Sequence, residues 1–327
     1  MRPRVVDGLI IGAGPAGLAA GLAFARTHGT AIIFDSSSYR NEGIKHMHTV
    51  PSRDHSDPYE FRRISREQIK SRYHTVWFEN TTITHAVRKL IKNDCLGFEV
   101  KDNNNTTYLG RKLILATGSR DVFPDIEGYK ENWPSHIYQC LACDGYEQSG
   151  TPIGILDFKS PMQSHIVGMA LNFDKRVTIF SNGPISNEAP IQQALKISKA
   201  LGASVDERKI KRLINNGPSH EQGVTIEFEE GPSVSLGFIV HRPATVNRAQ
   251  DLVEQLGLET GDPAMGGNVK VMDMFNETSL RGCFAAGDTM ALIKQATIAM
   301  AEGVKAGVGA GKQILEERAE DAVKALE

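Results

Sequence analysis

Short apolar runs alternate with helical patterns along the first part of the chain. Residues 5–11 and 31–34 are almost entirely apolar and predict two buried strands. Residues 18–26, between them, have helical character. Residues 76–102 are rich in strand-forming side chains, and residues 111–118 predict a further buried strand that ends in Ala-Thr-Gly. This order of elements is typical of an α/β domain with a largely parallel sheet.

A second α/β unit is predicted from about residue 150 onward. Its expected strands cover 152–156, 176–180, 224–229 and 234–241, and its expected helices cover 163–173 and 188–202. A turn at Arg242-Pro243 then returns the chain to the first unit. Residues 282–288 predict another strand, and a helix is expected from about 294 through 311. Residues 312–327 are expected to be a charged amphipathic helix or a frayed end.

Composition narrows the class of protein. The chain has 327 residues, enough for two domains with cores of their own, and its net charge of -2 gives no reason to expect a nucleic-acid partner. We find no apolar run long enough to span a membrane and no signal-peptide pattern at the start. Four cysteines are too few for a secreted disulfide framework. A cytoplasmic location is therefore expected.

The first helical segment is preceded by a glycine-rich turn. Gly12, Gly14 and Gly17 form GxGxxG between a strand and a helix, and Asp35 follows the next strand 18 residues after the last glycine. Glycines let the backbone approach a pyrophosphate at the helix N-terminus, and the acid can accept from ribose hydroxyls. The complete strand–helix–strand setting predicts an adenine dinucleotide site rather than a structural turn.

A polar loop over residues 39–58 carries three histidines. His46, His48 and His55 could suggest a metal site, but no cysteine accompanies them and the nearby carboxylates lack helical ligand spacing. Solvated or cofactor-facing side chains are the favoured interpretation, and no metal is expected. The following residues, 61–73, predict a charged surface helix.

Cys140 and Cys143 are separated by two residues, and Asp144 follows directly. Such a pair can form and reopen a disulfide, and an adjacent acid can move the protons that thiol exchange requires. A zinc site would need two more ligands, and neither Cys95 nor Cys283 has a partner at ligand spacing. The redox interpretation is therefore preferred over zinc.

These motifs, in this order, resemble the low-molecular-weight thioredoxin reductases. The similarity covers roughly residues 5–312 and includes GxGxxG, Ala-Thr-Gly, Cys-x-x-Cys-Asp-Gly and Gly-Asp before Gln-Ala. It implies an α/β fold of two Rossmann-like domains of the three-layer ββα type, the second inserted into the first. The FAD domain would comprise 1–118 and 245–327, and the inserted unit with the CxxC would comprise 119–244. Homodimers and FAD as cofactor are also implied.

The resemblance also suggests roles for individual residues. Cys143 would be the flavin-proximal thiol, Cys140 the exchange thiol and Asp144 the acid/base. Gly12, Gly14 and Gly17 would line the FAD pyrophosphate, Asp35 the ribose and Asp288 the ribityl or phosphate region. Backbone at Gln295 and Ala296 would face the flavin, where a helix N-terminus stabilises negative charge on the reduced ring. The remaining cofactor-binding residues expected are Pro15, Ala16, Ser36, Arg40, His48, Ala116, Thr117, Gly118 and Gly287.

The inserted unit departs from the reductase pattern at its nucleotide loop. Where a second glycine-rich loop would bind NADPH, the chain has Asp157 and Phe158, and Ser181-Asn182-Gly183 stands where arginines would pair with a 2′-phosphate. A carboxylate repels phosphate and a phenyl ring fills its space. NADPH is therefore not expected, although a variant loop that still binds it weakly is an alternative.

This departure, the Cys-Leu-x-Cys-Asp-Gly-Tyr-Glu stretch and the His-Met-His loop are similar to fungal dithiol oxidases of the gliotoxin and holomycin type. That resemblance implies oxidation of a small-molecule dithiol, with diketopiperazine-type metabolites as substrates and O2 reduced to hydrogen peroxide. Those relatives are expected to carry a histidine before the first cysteine, where this chain has Gln139. His136 or a loop histidine could supply the imidazole, so His136 is a candidate catalytic residue; otherwise Asp144 acts alone.

Two other functions are compatible with the sequence. One is a protein-disulfide reductase supplied with electrons by NADPH or by a small iron–sulfur donor such as ferredoxin. The other is a flavoprotein redox sensor that turns nothing over, against which the presence of both thiols and the acid argues.

Overall fold

The computed structural model describes residues 4–92 and 95–326, which form two compact units. The first comprises residues 4–42, Val50–Asp121 and 244–326, and the second comprises Gly43–Thr49 and Val122–Pro243. The borders expected from sequence, after 118 and after 244, differ from these by a few residues. No sequence pattern indicated that residues 43–49 belong with the second unit.

The elements follow the predicted alternation, with shifts of a few residues at their ends. The strands of the first unit are β1 Val5–Ile11, β2 Ala31–Phe34, β3 Val76–Glu79, β4 Ile83–Lys92, β5 Cys95–Asp102, β6 Thr107–Leu115, β7 Ser119–Val122, β16 Ala244–Asn247 and β17 Cys283–Ala285, with β7 ending one residue into the second unit. Its helices are α1 Pro15–Arg26, α2 Pro58–Arg72, α7 Gln250–Gln255 and α8 Ala296–Lys324.

The second unit has its own strands and shorter helices. Its strands are β8 Ile137–Tyr138, β9 Ile153–Leu156, β10 Val177–Phe180, β11 Ser204–Asp206, β12 Ile210–Asn215, β13 Val224–Phe228, β14 Val234–Leu236 and β15 Phe238–Val240. Its helices are α3 Tyr129–Asn132, α4 Leu141–Asp144, α5 Gln163–Ala170 and α6 Ala189–Ala200.

The main sheet of the first unit has the order β3-β2-β1-β6-β5-β4, and β17 pairs with the end of β6 beyond β5. Strands β3, β2, β1, β6 and β17 run parallel, whereas β4, β5 and β6 form an antiparallel meander. Because parallel strands end at the same edge, β1, β2, β6 and β17 bring their carboxyl ends, and the motifs that follow them, to one edge of the sheet.

Helix α1 packs closely on α8 because both present small residues. A Cβ placed on Gly303 would lie 2.1 Å from the carbonyl oxygen of Ala16, and one on Gly307 would lie 2.9 Å from that of Ala20. Such distances leave no room for a side chain, so the two helix backbones touch. The approach fixes where α8 begins relative to the glycine-rich turn at the start of α1.

Helix α8 corrects the prediction for the end of the chain. A helix through residue 311 and a separate helix or frayed end were expected, but one helix continues to Lys324. Gln313 and Ile314 are buried, and Glu317 pairs with Arg111 at 2.9 Å and also with the buried Lys112. These contacts hold the final turns against β6, so the helix does not fray where its composition becomes charged.

The second unit is built on the parallel sheet β11-β10-β9-β15-β8, with β12-β13-β14 forming a separate antiparallel sheet. Apolar side chains of helices α5 and α6 pack in the core of the five-stranded parallel sheet. The predicted fold class, α/β with two Rossmann-like domains, is confirmed. Throughout the described residues, every helix is too short or too polar to cross a lipid bilayer.

Candidate active site

The glycine-rich turn in the first unit leaves space where a pyrophosphate would bind. Gly12 adopts a φ of +113°, and Cβ atoms on Gly12 and Gly17 would lie 2.2 Å and 1.8 Å from the carbonyl oxygens of Ala116 and Gly12. A Cβ on Gly14, in contrast, would meet nothing within 4 Å. Gly14 caps α1 with no side-chain hydrogen bond, and Pro15 occupies the first turn. The open first-turn amides fit a phosphate group.

Asp35 lies directly after β2, as the dinucleotide pattern requires, and is almost fully buried. Its carboxylate accepts from the Ser37 amide at 2.9 Å, from the Tyr39 hydroxyl at 2.7 Å and from Arg66 at 3.0 Å. Burial, together with this carboxylate, raises the pKa of Tyr39 well above its ordinary value. The predicted ribose acceptor is therefore already held by protein donors, and the exposed Ser36 follows it.

Thr289, which no sequence pattern predicted, links the segments that follow β6 and β17. The Thr289 hydroxyl is buried and accepts from the Gly118 amide at 2.9 Å, and it lies 3.3 Å from the hydroxyl of Thr117. Ala286 donates its amide to the Leu115 carbonyl at 2.9 Å. These bonds place the predicted cofactor residues 116–118 beside Gly287 and Asp288.

Arg40 is held by two carboxylates. Its Nη2 lies 2.7 Å from Asp121 and its Nη1 lies 3.3 Å from Asp288. Asp121 was not predicted, and its position three residues after the Ala-Thr-Gly motif carries no recognisable pattern. The arrangement places both predicted residues, Arg40 and Asp288, in one charged cluster of the first unit.

The start of α8 forms a second helix N-terminus in this unit. Gln295 is the N-cap, without a side-chain hydrogen bond, and Ala296 begins the helix. Lys294 turns its amino group toward the carbonyls of Asp288 and Ala291, both at 3.1 Å. No N-cap side chain accepts from the first-turn amides of α8. Together with the glycine turn, this donor set fits a dinucleotide such as FAD.

Cys140 and Cys143 form a disulfide in the second unit, with their Cα atoms 5.2 Å apart. Cys140 is the N-cap of α4, and its carbonyl accepts from the amides of Cys143 and Asp144, both at 3.1 Å. This single turn places the two sulfurs within bonding distance. Both cysteines are half-buried, so the disulfide is partly accessible.

Asp144 is half-buried at the end of the same turn. Burial is the main cause that raises its pKa to about 6, while His48 lowers it and Glu147 raises it. Tyr138 is buried and its pKa is raised by burial and by both carboxylates. A carboxyl group that titrates near neutral pH can both accept and return protons, as an acid/base partner of the cysteines must.

His48, one of the predicted cofactor residues, lies in the second unit. It belongs to the segment Gly43–Thr49, which is part of the second unit, and its Nε2 lies 3.6 Å from Glu147. Glu147 follows Asp144 by three residues in a short 3-10 turn, Tyr146–Gln148. The stretch Cys-Asp-Gly-Tyr-Glu contained this acid, but nothing local connected it to a histidine about 100 residues earlier.

His136 does not have the environment expected of a catalytic group. Its side chain is fully buried, Nε2 pairs with the carbonyl of Gly217 at 2.9 Å, and Nδ1 lies buried with no hydrogen-bond partner among the described residues. Because β8 begins one residue later and both Ile137 and Tyr138 are buried, the chain draws His136 into the core. The prediction that His136 assists Asp144 is not supported.

The loop after β9 forms the counterpart of the nucleotide loop in the second unit. Asp157 adopts a φ of +71°, its Oδ1 accepts from the Phe158 amide at 2.7 Å, and its Oδ2 pairs with Lys159 at 2.8 Å. The Ser160 amide donates to the Gln163 side chain at 2.9 Å, and Gln163 in turn donates to the Asp157 carbonyl at 2.7 Å.

Comparison with known proteins defines the class. The model of the pyridine nucleotide-disulphide oxidoreductase family matches residues 6–303. The chain therefore belongs to this family and is a thiol–disulfide oxidoreductase, and the family and its thioredoxin reductase neighbours imply that it binds FAD.

Two similar proteins come from fungi. The chain is 42% identical over 317 residues to the thioredoxin reductase tcpT of Claviceps purpurea, with 95% of each chain covered. It is 37% identical to the thioredoxin reductase sirT of Leptosphaeria maculans, over 96% of this chain and 95% of that one. The resemblance to fungal thioredoxin-reductase-like proteins that the motifs suggested is confirmed.

Two solved structures are similar over nearly the whole chain. The crystal structure of HlmI superposes with a TM-score of 0.87 at 27% identity, covering 98% of this chain and 96% of that one. A putative thioredoxin reductase TrxB from Bacillus anthracis superposes with a TM-score of 0.84 at 27% identity, covering 96% and 99%.

Proposed function

We propose that the protein is an FAD-dependent dithiol oxidase. It forms an intramolecular disulfide in a small-molecule secondary metabolite of the diketopiperazine type, with O2 as the electron acceptor and hydrogen peroxide as the product. The feature that distinguishes this proposal from a reductase function is the loop after β9, residues 157–163, which leaves little room or hydrogen-bonding capacity for NADPH.

A pyrophosphate site needs backbone amides that point to an empty concave surface. In this loop the amides of Phe158 and Ser160 already donate to the side chains of Asp157 and Gln163. Both amides are therefore already engaged within the loop. A phosphate would therefore have to displace two internal hydrogen bonds and approach a carboxylate of the same charge.

Phe158 fills the remaining space. Its side chain is only 2% exposed and packs in the core of the second unit with Ile155, Ile166 and Val240. The loop follows β9, which lies between β10 and β15 in a parallel sheet, at the strand end where dinucleotides bind in this type of fold. The phenyl ring thus replaces the glycines that would allow close approach of a nucleotide.

The chemistry at Cys140–Cys143 follows from thiol–disulfide exchange. Asp144 accepts the proton of one substrate thiol, and the thiolate attacks Cys140, which breaks the disulfide and releases Cys143 as a thiolate. The second substrate thiol then displaces the Cys140 sulfur, which leaves as a thiolate and takes up that thiol's proton, and the substrate disulfide closes. The substrate has then lost two electrons and two protons, and the enzyme holds two reduced cysteines.

FAD, when bound, supplies the two-electron acceptor that reoxidises the cysteine pair and passes the electrons to O2. The residues that would hold it are the glycine turn at Gly12–Gly17, residues 116–118 with their partner Thr289, and the first turn of α8. Asp144 handles the protons, because its carboxyl group titrates near neutral pH.

Anaerobic stopped-flow measurement of flavin reduction tests the direction of electron flow. We expect a reduced diketopiperazine dithiol to bleach the flavin rapidly and NADPH to do so slowly or not at all. Admission of air should then return the flavin colour with stoichiometric peroxide. Rapid bleaching by NADPH would overturn the proposal in favour of a protein-disulfide reductase.

The cysteine variants separate catalysis from a sensor role. Cys140→Ser should abolish flavin reduction by the dithiol, and Cys283→Ser is the matched control because that thiol is fully buried in the first unit's core. Unchanged turnover in Cys140→Ser would contradict the proposed mechanism.

We also propose that the protein acts as a homodimer in the cytoplasm. In the first unit, Val304, Val308 and Leu315 are exposed apolar residues on one side of α8, and Leu22 is exposed on α1. Such a stripe is better suited to another protein surface than to water. Light scattering of the wild type and of Val308→Lys checks this, and a monomeric wild type would contradict it.

A further inference from the structure

A bidentate ion pair joins the loop after β2 to strand β7 within the first unit. Arg40 donates from Nη2 to Oδ1 of Asp121 at 2.7 Å and from Nε to Oδ2 at 3.0 Å. The two side chains are only 14% and 5% exposed, so solvent screens their attraction little. Two parallel bonds also fix the plane of the guanidinium, which a single bond does not. The Asp121 carboxylate therefore determines the direction in which Arg40 points.

The same guanidinium reaches Asp288. Its Nη1 lies 3.3 Å from Oδ2 of Asp288, whose side chain is 19% exposed. Asp288 lies shortly after β17, at the edge of the sheet that also carries the glycine turn. A carboxylate at this edge repels the pyrophosphate of a dinucleotide, and a guanidinium beside it offsets that charge. The orientation of Arg40 is therefore important for binding of a negatively charged cofactor.

Arg248 ties the same loop and strand together a second time. It donates from Nη1 to the hydroxyl of Ser38 at 2.6 Å and from Nη2 to the carbonyl of Ser119 at 3.4 Å. Ser38 precedes Arg40 by two residues, and Ser119 precedes Asp121 by two. Because these bonds do not involve the Asp121 carboxylate, they should keep the loop and the strand in place when it is removed. The ion pair then orients one side chain on segments that are already held.

We propose that Asp121 is a positioning residue of the FAD site: it holds the Arg40 guanidinium against Asp288, so that the positive charge offsets this carboxylate where the cofactor binds. Asp121 acts through Arg40 and need not touch the cofactor itself. The inference rests on FAD binding, which the family implies, and not on the direction of electron flow.

A double-mutant cycle on FAD affinity tests the inference. Recovery of flavin fluorescence on dilution of the FAD-bound protein gives the dissociation constant for the wild type, Asp121→Asn, Arg40→Gln and the double variant. We expect Asp121→Asn to raise the constant about tenfold, because the guanidinium is no longer fixed. Arg40→Gln should raise it at least as much. The double variant should bind FAD no more weakly than Arg40→Gln alone, because Asp121 then has no guanidinium to orient.

Asp251→Asn is the matched control, because Asp251 is an exposed carboxylate on α7 of the same unit, and it should leave the dissociation constant unchanged. If Asp121→Asn does not fold, Asp121→Glu replaces it in the cycle: the longer side chain keeps the charge but displaces it, and its loss of affinity should likewise vanish in the Arg40→Gln background.

Two results would overturn the inference. One is an FAD dissociation constant in the Asp121 variant equal to that of the wild type. The other is a loss of affinity that persists in full in the Arg40→Gln background, because a residue that only supports the fold would act in this additive way. The measurement involves neither a dithiol nor O2, so its outcome is independent of the proposed function.

Discussion

The Thr289 hydroxyl accepts a hydrogen bond from the Gly118 amide at 2.9 Å, across a sequence separation of 171 residues. The bond joins the turn after β6 to the turn after β17, and both turns carry predicted cofactor residues. Thr289 is fully buried, so no water replaces the bond if the hydroxyl is removed. Thr289 belongs to no recognisable motif, yet its hydrogen bond helps to determine the shape of the predicted cofactor site.

We therefore expect Thr289→Val to weaken FAD binding. Valine keeps the volume but leaves the Gly118 amide buried without an acceptor, a loss of about 1–3 kcal/mol. Recovery of flavin fluorescence on dilution measures the FAD dissociation constant. Thr178→Val, a partly exposed change on β10 of the second unit, is the control. Equal FAD affinities for the two variants would contradict the assigned role.

Phe158→Ala should destabilise the second unit without creating a nucleotide site. The ring is buried in the unit's core, and truncation of a buried phenylalanine costs about 3–5 kcal/mol. The amides of the loop remain bonded to Asp157 and Gln163, so NADPH should still not bind. Urea unfolding and NADPH calorimetry measure the two effects.

Met162→Ala, an exposed apolar change in the same loop region, is the comparison for Phe158→Ala and should leave the unfolding midpoint nearly unchanged. Tight NADPH binding by Phe158→Ala would show that the ring alone blocks the site and that the internal hydrogen bonds do not.

The rate of flavin reduction by a dithiol should fall as the solution is acidified below about pH 6. Asp144 has a pKa raised to about 6, so its basic form is lost below that pH, and the rate should decrease about tenfold per pH unit. In Asp144→Asn this acid limb should disappear along with most of the rate. A rate independent of pH between about 5 and 7 in the wild type would remove Asp144 from the role of base.

The same shift makes a prediction for stability. The pKa of Asp144 is raised on folding, so its contribution to stability is complete below the unfolded value of about 4 and is lost as the pH rises through about 6. Asp144→Asn cannot ionise, so it should gain stability relative to the wild type at pH 8 but not at pH 4. Urea midpoints at the two pH values check the sign, and a larger gain at pH 4 would contradict it.

Glu317→Ala should loosen the last turns of α8. Lys112 is almost completely buried and would lose its partner carboxylate, and Arg111 would lose a 2.9 Å ion pair. An unpaired buried charge costs about 1–3 kcal/mol or more. Hydrogen exchange of residues 315–324 should accelerate. Glu316→Ala, which removes an exposed pair with Lys312, should show little change.

Local patterns were sufficient to predict the strand–helix order and the glycine turn, because each depends on neighbours in sequence. Gly12, Gly14 and Gly17 recur at fixed spacing, and their conformations follow from the backbone approach that the turn demands. The end of α8 was predicted less well, because the contacts of Gln313 and Glu317 that continue the helix come from residues far along the chain.

The histidines show where local patterns are insufficient. His136 was favoured for its closeness in sequence to Cys140, but the backbone entering β8 turns its ring into the core. His48 lies about 90 residues before the cysteines and reaches Glu147 only through the tertiary grouping of segment 43–49. Closeness in sequence to Cys140 favoured His136, but in the structure His48 is the histidine that lies near the carboxylate of Glu147.

The packing of α8 on α1 also sets an order of events during synthesis on the ribosome. Residues 43–49 and 122–243 leave the ribosome before α8 and β17, so the second unit can complete its parallel sheet first. The first unit must keep the apolar surfaces of α1 and β6 uncovered until residues 283–324 emerge. Until then the nascent chain exposes a main sheet that lacks its last strand and the cover of α8, which is the stage at which it depends most on chaperones.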